Sequence, residues 1–337
     1  MKLQNKYLLH WYQSIICLIF LMIILGGFTR LTDSGLSITE WGVVSGIIPP
    51  LSQHDWSVLF RKYQEIPEFK LINFAMSIDG FKQIFWLEYL HRILGRILGI
   101  ITISGFFAFL TCKTFSGKQK KHISIITVLI PIQGVIGWFM VKSGLSDDID
   151  VSHYMLALHL TTAFALLFIL ARFYYDEYHE SLVIKERAGY LFFLRAIICV
   201  AFLQVVFGAL VAGLNAGLIY NEFPFMGEGY LPREIYDNNL LSPSLVENPA
   251  IVQFIHRNIA FILSGLIILF GYKFYKTFNI YIKKQYKLVI YLLLLQMLIG
   301  VLVLLTSVNI YLAILHQFIA AIFIYRLSWL YMSVLKN

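Results

Sequence analysis

The chain has 337 residues, of which 59% are hydrophobic and 14% charged. A soluble domain carries roughly a quarter charged residues, so this composition excludes a soluble globular protein and reads as an all-α polytopic membrane protein. The formal net charge of +8 sits in short loops between apolar runs, where it reports orientation and not nucleic-acid binding.

Lys2 and Lys6 precede a first apolar run that starts near Trp11 and lacks a small-residue cleavage site. That pattern is an uncleaved first span and not a signal peptide, and no Arg- and Ser-rich transit stretch precedes it. A bacterial cytoplasmic membrane is the expected location. A spanning helix needs about 20 mostly apolar residues, and eight segments qualify: 11–29, 86–111, 123–142, 152–173, 190–212, 250–272, 286–306 and 309–331. Lys113, Lys118, Lys120 and Lys121 follow the second, and Lys273, Lys276, Lys283, Lys284 and Lys287 follow the sixth. Acids instead follow the third (Asp147, Asp148, Asp150) and the fifth (Glu222, Glu228, Glu234, Asp237, Glu247). The positive-inside rule then puts both termini in the cytoplasm, with the long loops 31–85 and 213–249 facing outward. Cys17 and Cys199 lie inside apolar segments and Cys112 at a segment end, which gives no disulfide framework.

Within loop 31–85, "SQHDWSVLF" carries a Ser-x-x-Asp capping signal at Ser52 and Asp55, predicting a short surface helix. It reads equally as a helix lying on the headgroups or as a lid over a site.

The two halves of the chain match in order. "LGGFTRLTDSGLSITE" pairs with "FGALVAGLNAGLIYNE", sharing Gly26/Gly208, Gly35/Gly217, Leu36/Leu218 and Glu40/Glu222; "QGVIG" from Gln133 pairs with "QMLIG" from Gln296. "HRILG" at His91 pairs with "HRNIA" at His256, and "LHLTTA" around His159 with "LHQFIA" around His316. Spans one to four thus recur as five to eight, giving halves 1–180 and 181–337. Four spans per half keep the copies co-oriented, so the expectation is two parallel-repeat four-helix bundles.

Of nine histidines, His10, His54, His122 and His179 fall in loops or at cytoplasmic ends, and His153 at the lip of the fourth span. His91, His159, His256 and His316 each lie a turn or two into an even-numbered span. At a 1.5 Å rise per residue that is a common depth of about 10 Å below the outer surface. A lone membrane imidazole ordinarily bonds a neighbouring helix; four in register, two per half, point to function. Zinc wants further close ligands, and no Cys, Asp or Glu lies at that depth to supply them. Two histidines per iron instead meet the need of a six-coordinate haem. Four residues after each histidine stands a small one (Gly95, Ala163, Ala260, Ala320), which clears the same helix face for a flat ring. Arg92 and Arg257 follow the first histidine of each half, where a guanidinium can meet haem propionates or simply snorkel to headgroups.

The halves differ at two matched positions beside the histidines. Glu88 stands one turn before His91, whereas Gln253 precedes His256; Arg96 likewise becomes Phe261. A carboxylate near the ring belongs to the first half alone, which predicts chemistry there and a permanent haem in the second.

These blocks, with "IPPL", "PEFK", "FKQIFWLEYLHRILGR" and "VQFIHRNIAF", resemble the haem A synthase family, which includes the mitochondrial assembly factors of cytochrome oxidase, over essentially the whole chain. The family oxidises the ring methyl of haem O to the formyl group of haem A by successive hydroxylations with dioxygen and external electrons. The resemblance implies haem b on His256 and His316, substrate haem O bordered by His91 and His159, and Glu88 as the catalytically important carboxylate. Some branches carry cysteine pairs in the outer loops; this chain resembles the cysteine-free branch. A two-haem cytochrome exchanging electrons with quinone is one rival reading, and would not need Glu88. A haem transporter is another, but it wants a broken helix in matching spans, and Pro131 has only Leu294 as its counterpart. The electron donor, handover from a haem O synthase and a homo-oligomeric state are left open by the residues.

Overall fold

The computed structural model describes residues 3–42, 45–113, 115–145, 149–179, 188–237 and 244–336. Asp147 and Asp148, two of the acids used above for orientation, lie outside them. Regular structure among the described residues is helical, with one isolated bridge between Met226 and Gly229.

Among the described residues eight helices are long and apolar enough to cross a membrane: Lys6–Leu31, Ile78–Leu110, Gly117–Leu145, His153–Tyr178, Gly189–Gly213, Pro249–Thr277, Ile280–Leu305 and Ile310–Leu335. They are spans one to eight below. Several begin earlier than their apolar runs do, because a capped polar turn extends the same helix. Ser77 caps span two by accepting from the Gly80 amide, and Asn279 caps span seven by accepting from Ile282, each satisfying an amide that the first turn leaves without a partner.

The chain gathers into two compact units, Cys17–His159 and Met1–Ile16 with Leu160–Asn337. In the first, span two packs on span three. The segment between spans one and two folds into a cap whose main helix, Gln53–Gln64, starts at a full capping box: the Asp55 amide donates to Ser52 Oγ (3.1 Å) and the Ser52 amide to Asp55 Oδ2 (2.9 Å). This is the short helix that the Ser-x-x-Asp signal predicts. Its apolar side joins Leu36, Tyr63 and Ile66 to Phe81 and Phe85 on the first turns of span two, so the helix is packed on protein. Glu68 is buried beside it, accepting from Tyr63 Oη (2.8 Å) and Asn73 Nδ2 (3.1 Å). Burial pushes its carboxyl up to about 7, against which the Tyr63 hydrogen bond works.

In the second unit span five packs on span six and span seven on span eight. Asn221 Nδ2 fastens the turn after span five to the end of span seven, donating to the Gly217 and Leu304 carbonyls (2.7 and 3.0 Å). The repeat is written in the backbone too. Asp33 (φ 47°) and Asn215 (φ 51°) hold the matched position after spans one and five in left-handed conformation, which Asn and Asp tolerate best among residues with a Cβ.

Candidate functional site

Each unit holds two of the four histidines: His91 and His159 in one, His256 and His316 in the other. Every one of them is seated against a glycine of the preceding odd-numbered span. A Cβ on Gly137 would stand 2.8 Å from His159 Cε1; on Gly208, 3.0 Å from His256 Cε1; on Gly300, 2.9 Å from His316 Cε1. On Gly26 it would stand 3.4 Å from His91 Nε2. The imidazole edge fills the space that any larger residue would occupy, the same close approach that small residues permit between membrane helices.

Three of the four seats have a second part. One turn before the glycine, on the same helix face, a glutamine amide reaches the ring. Gln133 Nε2 lies 3.2 Å from His159 Nδ1 and donates to the His159 carbonyl (2.8 Å). Gln204 Nε2 lies 3.2 Å from His256 Nε2, and Gln296 Nε2 lies 3.1 Å from His316 Nε2. At the fourth seat the matching residue is Met22, whose methyl approaches Gly95, one turn beyond His91. The sequence signal is a four-residue spacing, "QGVIG", "QVVFG" and "QMLIG" against "MIILG". It escapes a reading by periodicity, because a glutamine or a glycine in an apolar helix looks like ordinary helix packing until the facing histidine is known.

Two imidazoles to a unit are a donor set of the kind that holds a haem iron. Nδ1 of His256 and Nδ1 of His316 are buried without a partner among the described residues, leaving a ring nitrogen on each for a ligand. Among the described residues no three His, Cys, Asp or Glu side chains gather as a metal-ion site; the imidazoles stand in twos.

Glu88 is buried one turn before His91, with every oxygen held. Oε2 accepts from Ser37 Oγ (2.7 Å) and the Ile38 amide (2.8 Å), both in the turn after span one. Oε1 accepts from Arg92 Nε (3.0 Å) and Nη2 (2.6 Å). Arg92 also donates to the carbonyls of Ile38 (2.8 Å) and Glu40 (3.1 Å) and lies over the Trp41 ring, 5.2 Å from its centre. Arg96 donates to the Gly42 carbonyl (2.8 Å). The second unit repeats this frame without the acid. Arg257 Nη2 donates to the Tyr220 carbonyl (2.8 Å), the repeat counterpart of Ile38, and Nη1 to the Phe225 carbonyl (3.1 Å). Gln253 donates to the same Tyr220 carbonyl (3.1 Å). With Gln253 in place of the acid, Arg257 Nε is buried without an acceptor among the described residues. Phe261, the counterpart of Arg96, is exposed.

His10 bonds Gln13 (3.0 Å), and Tyr281 Oη lies 3.0 Å from His179 Nε2.

Residues 9–327 match the model of a family described as cytochrome oxidase assembly protein. The chain is 40% identical over 319 residues to the heme A synthase of Pelagibacter ubique, covering 93% of this chain and 92% of that protein. It is 45% identical over 272 residues to that of Orientia tsutsugamushi (75% and 76% covered) and 40% identical over 339 residues to that of Rickettsia bellii (99% of each). With the match running through all eight spans and both histidine pairs, the chain belongs to the cytochrome oxidase assembly protein family.

Proposed function

We propose that this chain is a haem A synthase, an oxidoreductase of the bacterial cytoplasmic membrane that converts the ring methyl of haem O to the formyl group of haem A for cytochrome oxidase. The relatives' shared name supports the activity. The observation that carries the assignment of roles is the unequal repeat: two matched histidine pairs, of which one alone has a buried carboxylate a turn away.

In this reading the sequence halves 1–180 and 181–337 divide the work. His256 and His316 hold a resident haem b, and their partnerless ring nitrogens are the groups that fit it. When bound, that haem supplies single-electron transfer. Arg257 stands beside the pair with Nε unspent, suited to a propionate. His91 and His159 border the substrate haem O. Arg92 would reach a propionate there only by sharing donors that Glu88 and two carbonyls hold. Its larger role is to align Glu88. Glu88 shares a helix face with His91, and its carboxylate is the group on this chain that can accept and return a proton at the reacting methyl. The loop charges keep both termini in the cytoplasm and the histidine sites toward the outer face. Dioxygen and electrons come from outside the chain.

The test is expression with and without haem O supply, followed by extraction and mass identification of the bound haems. A species with one oxygen more and two hydrogens fewer than haem O is the expected product. Haem O recovered unchanged from folded, coloured protein would refute the activity.

A further inference from the structure

In the first half a substrate site must release its ring on every turnover, whereas a resident haem in the second must stay. Besides Arg96 in place of Phe261, two departures from the repeat fall in that half. One is Glu88 in place of Gln253. The other is Met22 in place of Gln204, and the proposed chemistry does not use it.

We propose that the Met22 seat makes His91 the releasable imidazole of the four, and that Gln133, Gln204 and Gln296 are positioning residues that fix the other three. The inference rests on the assignment of two haem sites and goes beyond it. A glutamine amide can turn to offer its oxygen to a ring N–H once the opposite nitrogen is a ligand. A ring held in this way keeps its tautomer and its direction. Gln204 Oε1 and Gln296 Oε1 are buried and have no partner among the described residues, so this acceptor is available at both resident ligands. A thioether offers His91 nothing comparable, being a weak acceptor on a flexible chain. The glycine seat agrees. At the three braced stations a Cβ would come within 2.8–3.0 Å of the ring, and at Gly26 it would stop at 3.4 Å, so His91 is also held less closely from behind. His91 can therefore turn away without giving up a hydrogen bond, while His159 keeps the substrate registered from the other side through Gln133.

The experiment uses the full chain, purified in detergent from cells supplied with haem O, reduced with dithionite and exposed to carbon monoxide. Carbon monoxide takes a coordination position only where a side chain yields one, and the adduct is read from the Soret band with each haem identified by mass. In the wild type the adduct should form on haem O and not on haem b. Met22→Gln should lower the haem O adduct about ten-fold, the scale of a lost or gained outer hydrogen bond to a ligand. Gln204→Met and Gln296→Met should make haem b reactive by a similar factor, and Gln204→Glu, which restores an acceptor, should return it to inertness. Folded Gln204→Met protein that has lost haem b, regained in Gln204→Glu, supports the same brace. Full haem content with carbon monoxide binding unchanged in all three methionine and glutamine exchanges would overturn the inference and leave the enzymatic assignment standing. Colourless wild-type protein would instead overturn the haem assignment itself.

Discussion

Glu88→Gln separates what the carboxylate does for the fold from what it does for the reaction. Both partners of the Glu88–Arg92 pair are buried, with side chains 5% and 10% exposed, so solvent screening is weak. Breaking such a pair by removing one charge costs on the order of 3–5 kcal/mol. The amide keeps an oxygen for Ser37 and Ile38 but turns an N–H₂ toward the guanidinium, forfeiting two charge-assisted bonds. Arg92 retains the carbonyls of Ile38 and Glu40. Gln253 beside Arg257 shows that this frame accommodates an amide, with both side chains sharing the Tyr220 carbonyl. The expected loss is therefore at the low end, about 3 kcal/mol, read as earlier thermal release of haem with the fold intact at room temperature. Activity should fall much further, about 10²–10⁴-fold, if the carboxylate moves the proton. The assay is haem content by pyridine haemochrome and haem A by mass on the same sample. Glu88→Gln protein that binds both haems and makes haem A at the wild-type rate would remove the carboxylate from the chemistry. Full activity loss with unchanged melting would refute only the stability estimate.

The glycine seats make a graded prediction. Alanine at Gly137, Gly208 or Gly300 should displace the facing imidazole and deplete the corresponding haem, whereas alanine at Gly26 should be tolerated; haem stoichiometry per purified chain decides it. Glu68 makes the cap sensitive to pH. Between its ordinary value of 4.5 and about 7 the folded cap holds a proton that the unfolded segment has released. Cap stability should therefore fall as pH rises through that window and level off above it, by at most about 3 kcal/mol. Pulse proteolysis of segment 53–76 at pH 5 and pH 8 measures this, and Glu68→Gln, which keeps an acceptor for Tyr63 and Asn73, should abolish the difference. Ser52→Ala removes the capping box of the Gln53–Gln64 helix and should destabilise it by about 1 kcal/mol, visible as faster amide exchange in its first turn.

Most of the fold is legible in the sequence because membrane spans are set by run length, a property of consecutive residues. What the runs miss is where polar turns continue a helix. Ser77 and Asn279 cap spans that begin eight and six residues before the apolar stretches 86–111 and 286–306. The histidines are legible for a similar reason, since depth follows from position along a helix. Their surroundings are not, because they depend on which helix faces which. Glu88 and Arg92 are neighbours by spacing alone, but nothing local says that Ser37 and the Ile38 amide return across about fifty residues to complete the nest. The glutamine braces were equally hidden. "QGVIG" and "QMLIG" align as repeat copies without revealing that each points at a histidine, and "QVVFG" aligns with a stretch that has methionine in place of its glutamine. This last mismatch carries more information than the matches do. A duplicated bundle that needed two identical haem sites would have no reason to keep Met22 opposite Gln204 and Glu88 opposite Gln253 in the same half. Each exchange alone is a small change in one helix. On the proposed assignment, together they put the proton-bearing group and the weakest-held imidazole on one side of the repeat, where a substrate would have to react and leave.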